Sequence, residues 1–403
     1  MMYDYFSSIV TGITAKLEQD PQGIHARKRY ALAVATLGRR LYSGDARIAW
    51  CGVTAPFDLL NSMGVTSCFV EFVGAMLAST ETAELFMQGA EDAGYAADSC
   101  AYHRAVTGAM LKSAMPVPDF IIGTSSPCTA GLAVMENMAK QYNRDLFVVN
   151  VPQSESPDAV RFLARQIEEM AGFVGDHTGQ ALSRNRLGEA LELTNEATVL
   201  IKEIYGLAKQ KPSPVDSRFL NNFGVVITLF MGTREGVDIC RGFRDELRHR
   251  VATNAMDASQ ERIRLMWVQN RIQFPFPLES MLAEYGAKIV VDELNDVTWE
   301  PMDPDNPFES IARRILSIPF SRNADARVTH LQTLAREYQI DGAINPCHWG
   351  CRQGTGLRGI ISNGLKEIGV PVLNLEIDCV DSRNLAEGQI HTRFEAFTEM
   401  IQG

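Results

Sequence analysis

Tyr5, Ile9, Ile13 and Leu17 recur every fourth residue, which places them on one face of a helix. Residues 26–41 continue with a second helical run of mixed apolar and basic positions. From Arg47 the period changes. Apolar runs of strand length at 48–53, 68–72, 120–122 and 146–151 alternate with helical patterns at 57–63, 81–93 and 130–142. Alternation of this kind needs crossover connections and predicts a parallel sheet. Residues 157–211 read as mostly helical, with Leu163, Ile167 and Met170 on one face, until Lys211-Pro212-Ser213-Pro214 breaks the pattern. A second alternating series follows, with strands at 224–230, 263–268, 288–291, 340–345 and 370–377. Its helices fall at 235–251, 278–285, 308–316, 326–338, 356–368 and 392–401, and Gly369 caps the fifth. The pattern therefore predicts an α/β protein: a helical leader (1–43), a first lobe (44–152), a helical bridge (153–215) and a second lobe (216–403).

At 403 residues and 46% hydrophobic content the chain can bury two or three cores. No apolar stretch approaches the roughly 18 to 20 residues of a membrane span, and the first residues lack the order of a signal peptide, so the expected location is the cytoplasm. A net charge of -11 argues against a nucleic-acid surface, which needs clustered Lys and Arg to neutralise phosphates. Eight cysteines in a reducing compartment favour metal or redox chemistry over a disulfide framework.

The placement of those cysteines is the strongest chemical signal. Cys128, in Thr124-Ser125-Ser126-Pro127-Cys128, follows the run 120–122; Cys347-His348-Trp349-Gly350-Cys351 follows the run 340–345; Cys379 ends the run 370–378. Ligands of open parallel sheets collect outside the carboxyl ends of the strands, so thiols recurring there read as ligands of one iron-sulfur centre. Thiolate is the binding form, and a helix start lowers the cost of its charge, as expected for Cys128 before the helix at 129–142. Cys100 lies in a polar turn, Asp98-Ser99-Cys100-Ala101-Tyr102-His103-Arg104. Cys100, Cys128 and Cys351 form the core set of cluster ligands, and Cys347 and Cys379 are further candidates. Cys51, Cys68 and Cys240 fall inside elements and read as packing residues. Three thiolates on a 4Fe-4S cluster leave one iron open to substrate, whereas six can hold a larger paired cluster.

Two other readings fit less well. Cys347-x-x-x-Cys351 has zinc-knuckle spacing, but Cys100 and Cys128 are 28 residues apart and no histidine pair completes a tetrahedral set. Gly354-Thr355-Gly356-Leu357-Arg358-Gly359 is a literal dinucleotide fingerprint with Glu376 as its acidic partner. Eight residues nevertheless separate it from Asn345, where the fingerprint requires the first glycine directly after the strand.

With the motifs Gly52-Val53-Thr54-Ala55-Pro56-Phe57-Asp58-Leu59-Leu60, Asp98-Ser99-Cys100, Ser126-Pro127-Cys128, Gly350-Cys351-Arg352-Gln353 and Asp381-Ser382-Arg383-Asn384, the chain resembles the 2-hydroxyacyl-CoA dehydratase and benzoyl-CoA reductase family from about residue 45 onward. The resemblance implies two flavodoxin-like (Rossmann-like) lobes with a 4Fe-4S cluster between them on Cys100, Cys128 and Cys351. It also implies an acyl-CoA substrate, a dimer with a paralogous or identical subunit, and electrons from an ATP-dependent iron-sulfur activator protein. This chain has no Gly-x-x-x-x-Gly-Lys-Ser/Thr loop of its own. Cys347 and Cys379 depart toward the branch that carries an 8Fe-9S double-cubane cluster, for which Cys51 or Cys68 would supply a sixth thiolate. In the dehydratase reading, one low-potential electron lets a ketyl radical expel hydroxide from a 2-hydroxyacyl-CoA. The alternatives are a benzoyl-CoA reductase-type subunit, a double-cubane reductase of small molecules, and a noncatalytic electron relay. Glu71, read at a strand end, is the candidate base or polar anchor. Thr54, after the first strand, is a candidate hydrogen-bond donor to substrate. His103 and Arg104, next to Cys100, could screen cluster charge or contact CoA phosphate, but read first as solvated loop charges.

Overall fold

The computed structural model describes residues 2–21, 23–215, 223–256, 261–294 and 299–403. Ile48–Cys51 (β1), Thr66–Phe69 (β2), Phe120–Thr124 (β3) and Leu146–Val149 (β4) form an all-parallel sheet in the order β2-β1-β3-β4. Ile263–Trp267 (β5), Ala287–Asp292 (β6), Gly342–His348 (β7) and Val372–Ile377 (β8) repeat that order as β6-β5-β7-β8. The central strands β1, β3, β5 and β7 are buried along their whole length, as strands covered on both faces must be. These are the two flavodoxin-like α/β lobes expected from the sequence.

Each lobe is fastened in the same way at the amino ends of its strands. Asp119, just before β3, accepts the Ile48 N–H at 2.7 Å, and Asp341, just before β7, accepts the Arg264 N–H at 2.7 Å. Both carboxylates tie the third strand of a lobe to its first, at the end opposite the cysteines.

Helices Met2–Glu18 and Ala26–Leu41 precede the first sheet, and Pro157–Thr178 and Arg184–Ala208 connect the two. Ser156 and Ser183 cap the connecting helices by accepting N–H bonds from Ala159 and Arg186, and Pro157 sits in the first turn, where its missing N–H costs nothing. Arg184–Ala208 packs on Phe57–Ser62 and on Arg234–Ala252, and Pro157–Thr178 packs on Pro307–Leu316, so the connecting pair touches both halves. A buried bidentate ion pair joins the halves directly: Arg314 Nη1 and Nη2 donate to the Asp58 oxygens at 2.6 and 2.9 Å.

The local pattern misread four places. The predicted strand at 224–230 is a helical turn, Phe223–Val226, followed by a tighter one, Ile227–Phe230. There the Asn61 amide donates to the carbonyls of Leu229 and Met231, which a ladder would otherwise have used. The strand predicted over 68–72 ends at Phe69 and gives way to the helix Val70–Ser79, so Glu71 lies in a first helical turn. The polar turn around Cys100 leads directly into the helix Ala101–Leu111. Strand β7 runs on to His348, which makes Cys347 a strand residue. Its Pro346 lies beyond Ile344, where pairing with β5 stops, so the missing N–H breaks no ladder bond on that side.

Candidate iron-sulfur site

All three thiols of the core set occupy the same structural position, the residue just before a helix. Cys100 precedes Ala101–Leu111, Cys128 precedes Thr129–Tyr142 and Cys351 precedes Arg352–Thr355. Cys128 Sγ accepts the Gly131 N–H at 3.3 Å, and Cys351 Sγ accepts the Gly354 N–H at 3.3 Å. A sulfur that receives an amide proton at a helix start is stabilised in its anionic form. The third residue of each of these two helices is glycine, and a methyl group there would reach to 3.6 Å from Cys128 Sγ or 3.4 Å from Cys351 Sγ.

The three come together because two loops fit against each other across the lobes. Gly350 has φ +72°, a conformation suited to glycine, and an added methyl would stand 2.5 Å from the Cys100 amide nitrogen. Only a residue without a side chain lets the Cys351 loop approach the Cys100 backbone so closely. On the first lobe, the hydroxyls of Thr54 and Thr124 both donate to the Ser126 carbonyl, at 3.0 and 2.9 Å, and so fix the loop that carries Cys128. The proton of Thr54 is committed there. Behind Cys351, the buried Gln269 amide donates to Asn345 Oδ1 at 2.7 Å and to the Gly354 carbonyl at 2.9 Å.

Two histidines flank Cys100. His348 accepts the Cys379 N–H at Nδ1, 2.9 Å, so its own proton sits on Nε2 and is aimed at Cys100 Sγ, 3.5 Å away. His103 Nε2 lies 3.3 Å from Glu71 Oε1. Burial pushes the Cys100 thiol up, but His103 and His348 outweigh it and hold it well below the usual thiol range. Burial raises the Cys128 thiol and pushes that of Cys351 up to about 11. Glu71 Oε2 is buried with no hydrogen-bond partner among the described residues.

His103 and Arg104, expected to be solvated, are 6% and 4% exposed. Arg104 pairs with Glu91 and with Asp381 at 3.2 Å, and Arg383 bridges the same two acids at 2.6 and 2.7 Å. This buried network ties the first lobe to the Asp381-Ser382-Arg383 segment of the second. Gln269 and the lobe-clamping role of Arg104 were missed from sequence, where nothing local marks them; the burial of His103 had a signal in its spacing three residues after Cys100, which puts both on one helix face once the helix is recognised.

The remaining cysteines are held inside the fold. Cys347 Sγ faces the Asn345 carbonyl at 3.7 Å and Asn374 Oδ1 at 3.9 Å, inside the sheet layer. Cys379 is fully buried behind His348, its sulfur 3.7 Å from the Asn270 carbonyl. Cys51 and Cys240 are packed in the core, and Cys68 is buried in β2. The structure therefore sets Cys100, Cys128 and Cys351 on the wall of one cavity, keeps Cys379 in the packing cluster of Cys100 but behind His348, and leaves Cys347 in the sheet layer.

Those three, with Glu71, His103 and Thr54, line one end of a cavity of about 1040 Å³. Among the described residues no three His, Cys, Asp or Glu converge tightly enough for a single metal ion. A cluster differs in that its irons spread over a larger body, which takes thiolates arriving from separate directions. Three thiols from three helix starts, with an unpaired carboxylate oxygen beside them, fit such a group.

The fold and site thus define a two-lobed α/β protein with thiols gathered where the carboxyl ends of its sheets meet. Residues 52–401 match the family of the 2-hydroxyglutaryl-CoA dehydratase D-component, and the chain belongs to that family. It is 22% identical to the (R)-phenyllactyl-CoA dehydratase alpha subunit of Clostridium sporogenes, over 88% of this chain and 89% of that protein. It is 24% identical to a benzoyl-CoA reductase subunit of Thauera aromatica, over 86% and 85%. Against the lactoyl-CoA dehydratase alpha subunit of Anaerotignum propionicum it is 22% identical, over 94% and 97%.

Proposed function

We propose that this chain is the iron-sulfur component of a 2-hydroxyacyl-CoA dehydratase-like enzyme, with a 4Fe-4S cluster on Cys100, Cys128 and Cys351. The observation that carries the proposal is the presence of three thiols at helix starts, from both lobes, on the wall of one cavity. When bound, the cluster supplies a low-potential electron and an open iron for the thioester carbonyl or the hydroxyl. The chain's own residues supply the rest. Glu71 projects Oε1 toward His103 and leaves Oε2 without a hydrogen-bond partner among the described residues, which suits it to take a substrate proton. His103 holds that carboxylate in place, and Thr54 holds the Cys128 loop rather than the substrate. The apolar walls of the cavity exclude water from the reacting carbons.

The electron comes, in this reading, from a separate ATP-dependent iron-sulfur activator, and the chain pairs with a similar or identical subunit in the cytoplasm. All three relatives are named as subunits, two of them alpha subunits of dehydratases, which supports a multi-subunit enzyme. No helix among the described residues is long and apolar enough to cross a membrane. Neither Cys347 nor Cys379 lines the cavity that the other three share, which favours a single cubane over the paired cluster. Anaerobic reconstitution followed by iron and sulfide counting tests the proposal: about four irons per chain are expected, and about eight would restore the double cubane. A colourless, iron-free and active enzyme would overturn it.

A further inference from the structure

The cavity that begins at the thiols extends far beyond the space a cluster needs. It is walled by Val53, Phe69, Phe72, Phe86, Trp299 and Phe320, and reaches the first two helices at Tyr5 and Tyr30. No Lys or Arg is present among the described residues that line it. Its two acids among the described residues are Glu71 and Glu293, and both are already paired, Glu71 with His103 at 3.3 Å and Glu293 with Arg327 in a bidentate pair at 2.6 and 2.8 Å. A carboxylate on the acyl chain would leave water here for a wall that, among the described residues, is almost wholly apolar and whose few charged groups are already committed to one another, a costly arrangement in an apolar enclosure. A small acyl chain would leave most of about 1040 Å³ without contacts.

Building on the dehydratase reading above, we propose that the acyl group this enzyme takes is neutral, bulky and apolar, of the aryl or long alkyl class. Small hydroxyacyl groups and acyl groups bearing a second carboxylate are poor ligands. The aromatic wall sets this choice. Phe69 and Phe72 stand 5.7 Å apart between ring centroids in a tilted pair, and Phe72 takes part in none of the cysteine, histidine or glutamate contacts of the site. The thioester end faces Cys100, Cys128 and Cys351, and the acyl tail runs along Phe72 toward the amino-terminal helices.

Equilibrium binding of the full-length, anaerobically reconstituted protein tests this with four probes: phenyllactyl-CoA, lactoyl-CoA, 2-hydroxyglutaryl-CoA and free CoA. Phenyllactyl-CoA is expected to bind ~100-fold tighter than lactoyl-CoA, from burial of the extra ring carbons, and 2-hydroxyglutaryl-CoA no tighter than lactoyl-CoA. Phe72→Arg is expected to reduce the preference for phenyllactyl-CoA over 2-hydroxyglutaryl-CoA at least ~10-fold, by placing a cation in the wall. Equal affinity for the three thioesters, or preference for 2-hydroxyglutaryl-CoA in the unaltered protein, overturns the acyl assignment while leaving the dehydratase reading in place. Binding of none of the four overturns both.

Discussion

The two lobes solve the same problem with different parts. In each, the third strand of a parallel sheet leads to a cysteine that caps a helix and accepts an amide proton from a glycine three residues on, at 3.3 Å in both. The Cys128 helix is 14 residues long, whereas the Cys351 helix is only 4. A long helix holds its capping residue through its own length. The short one relies on outside support, from Gln269 on the Gly354 carbonyl and from Gly350 pressed against Cys100. The third thiol, Cys100, comes from the first lobe alone. One device used twice thus makes a pair of ligands, and an asymmetric addition makes the set of three.

If the two capping cysteines are equivalent, Cys128→Ser and Cys351→Ser should each lower iron retention ~10-fold or more, as should Cys100→Ser, while Cys347→Ser leaves it unchanged. Iron and sulfide analysis after gel filtration under anaerobic conditions reads this, and iron loss on Cys347→Ser would break the three-thiol assignment. Next in size is the tie between the halves. Arg314→Ala leaves Asp58 buried without its partner and should cost about 3–5 kcal/mol in chemical denaturation.

The glycines sharpen the contrast between the lobes. Gly350→Ala meets both a strained φ and the Cys100 backbone, and should destabilise the protein by about 1–3 kcal/mol. Gly131→Ala meets no backbone and no strained φ, only the Glu71 oxygen at 3.2 Å, and should cost less, about 1 kcal/mol. The smallest effect belongs to the first lobe alone. His177 is partly buried, which lowers its pKa, but the Phe173 carbonyl at 2.8 Å and the Asp145 carboxylate at 2.9 Å outweigh this and raise it. Its contribution is therefore complete below the ordinary histidine range and lost as pH rises through the raised value. Asp145→Asn should reduce that slope in stability against pH, by less than about 1 kcal/mol in total.

Much of this architecture was legible because alternation of apolar runs and amphipathic stretches is a local signal. Strands β1, β3, β5 and β8 and the helix after Cys128 follow from composition and period alone. The segment Gly224-Val225-Val226-Ile227-Thr228-Leu229-Phe230 did not, because a short apolar run reads alike as a buried strand or a buried helical turn. Here the Asn61 side chain, distant in sequence, donates to the carbonyls of Leu229 and Met231, a tertiary contact that the run itself does not encode. His103 and Arg104 failed for the opposite reason. Their polarity suggests solvent, and only the partners supplied by Glu71, Glu91 and Asp381 make their burial tolerable. The positions of Cys347 and Cys379 turned on where β7 stops and on the packing around His348, neither of which spacing encodes.

Asp119 and Asp341 have a consequence for how such a protein changes over time. Each secures its sheet at the rim farthest from the thiols, through one short bond to a main-chain amide. With the scaffold anchored there, the loops at the other rim can exchange residues without loosening the frame that carries them.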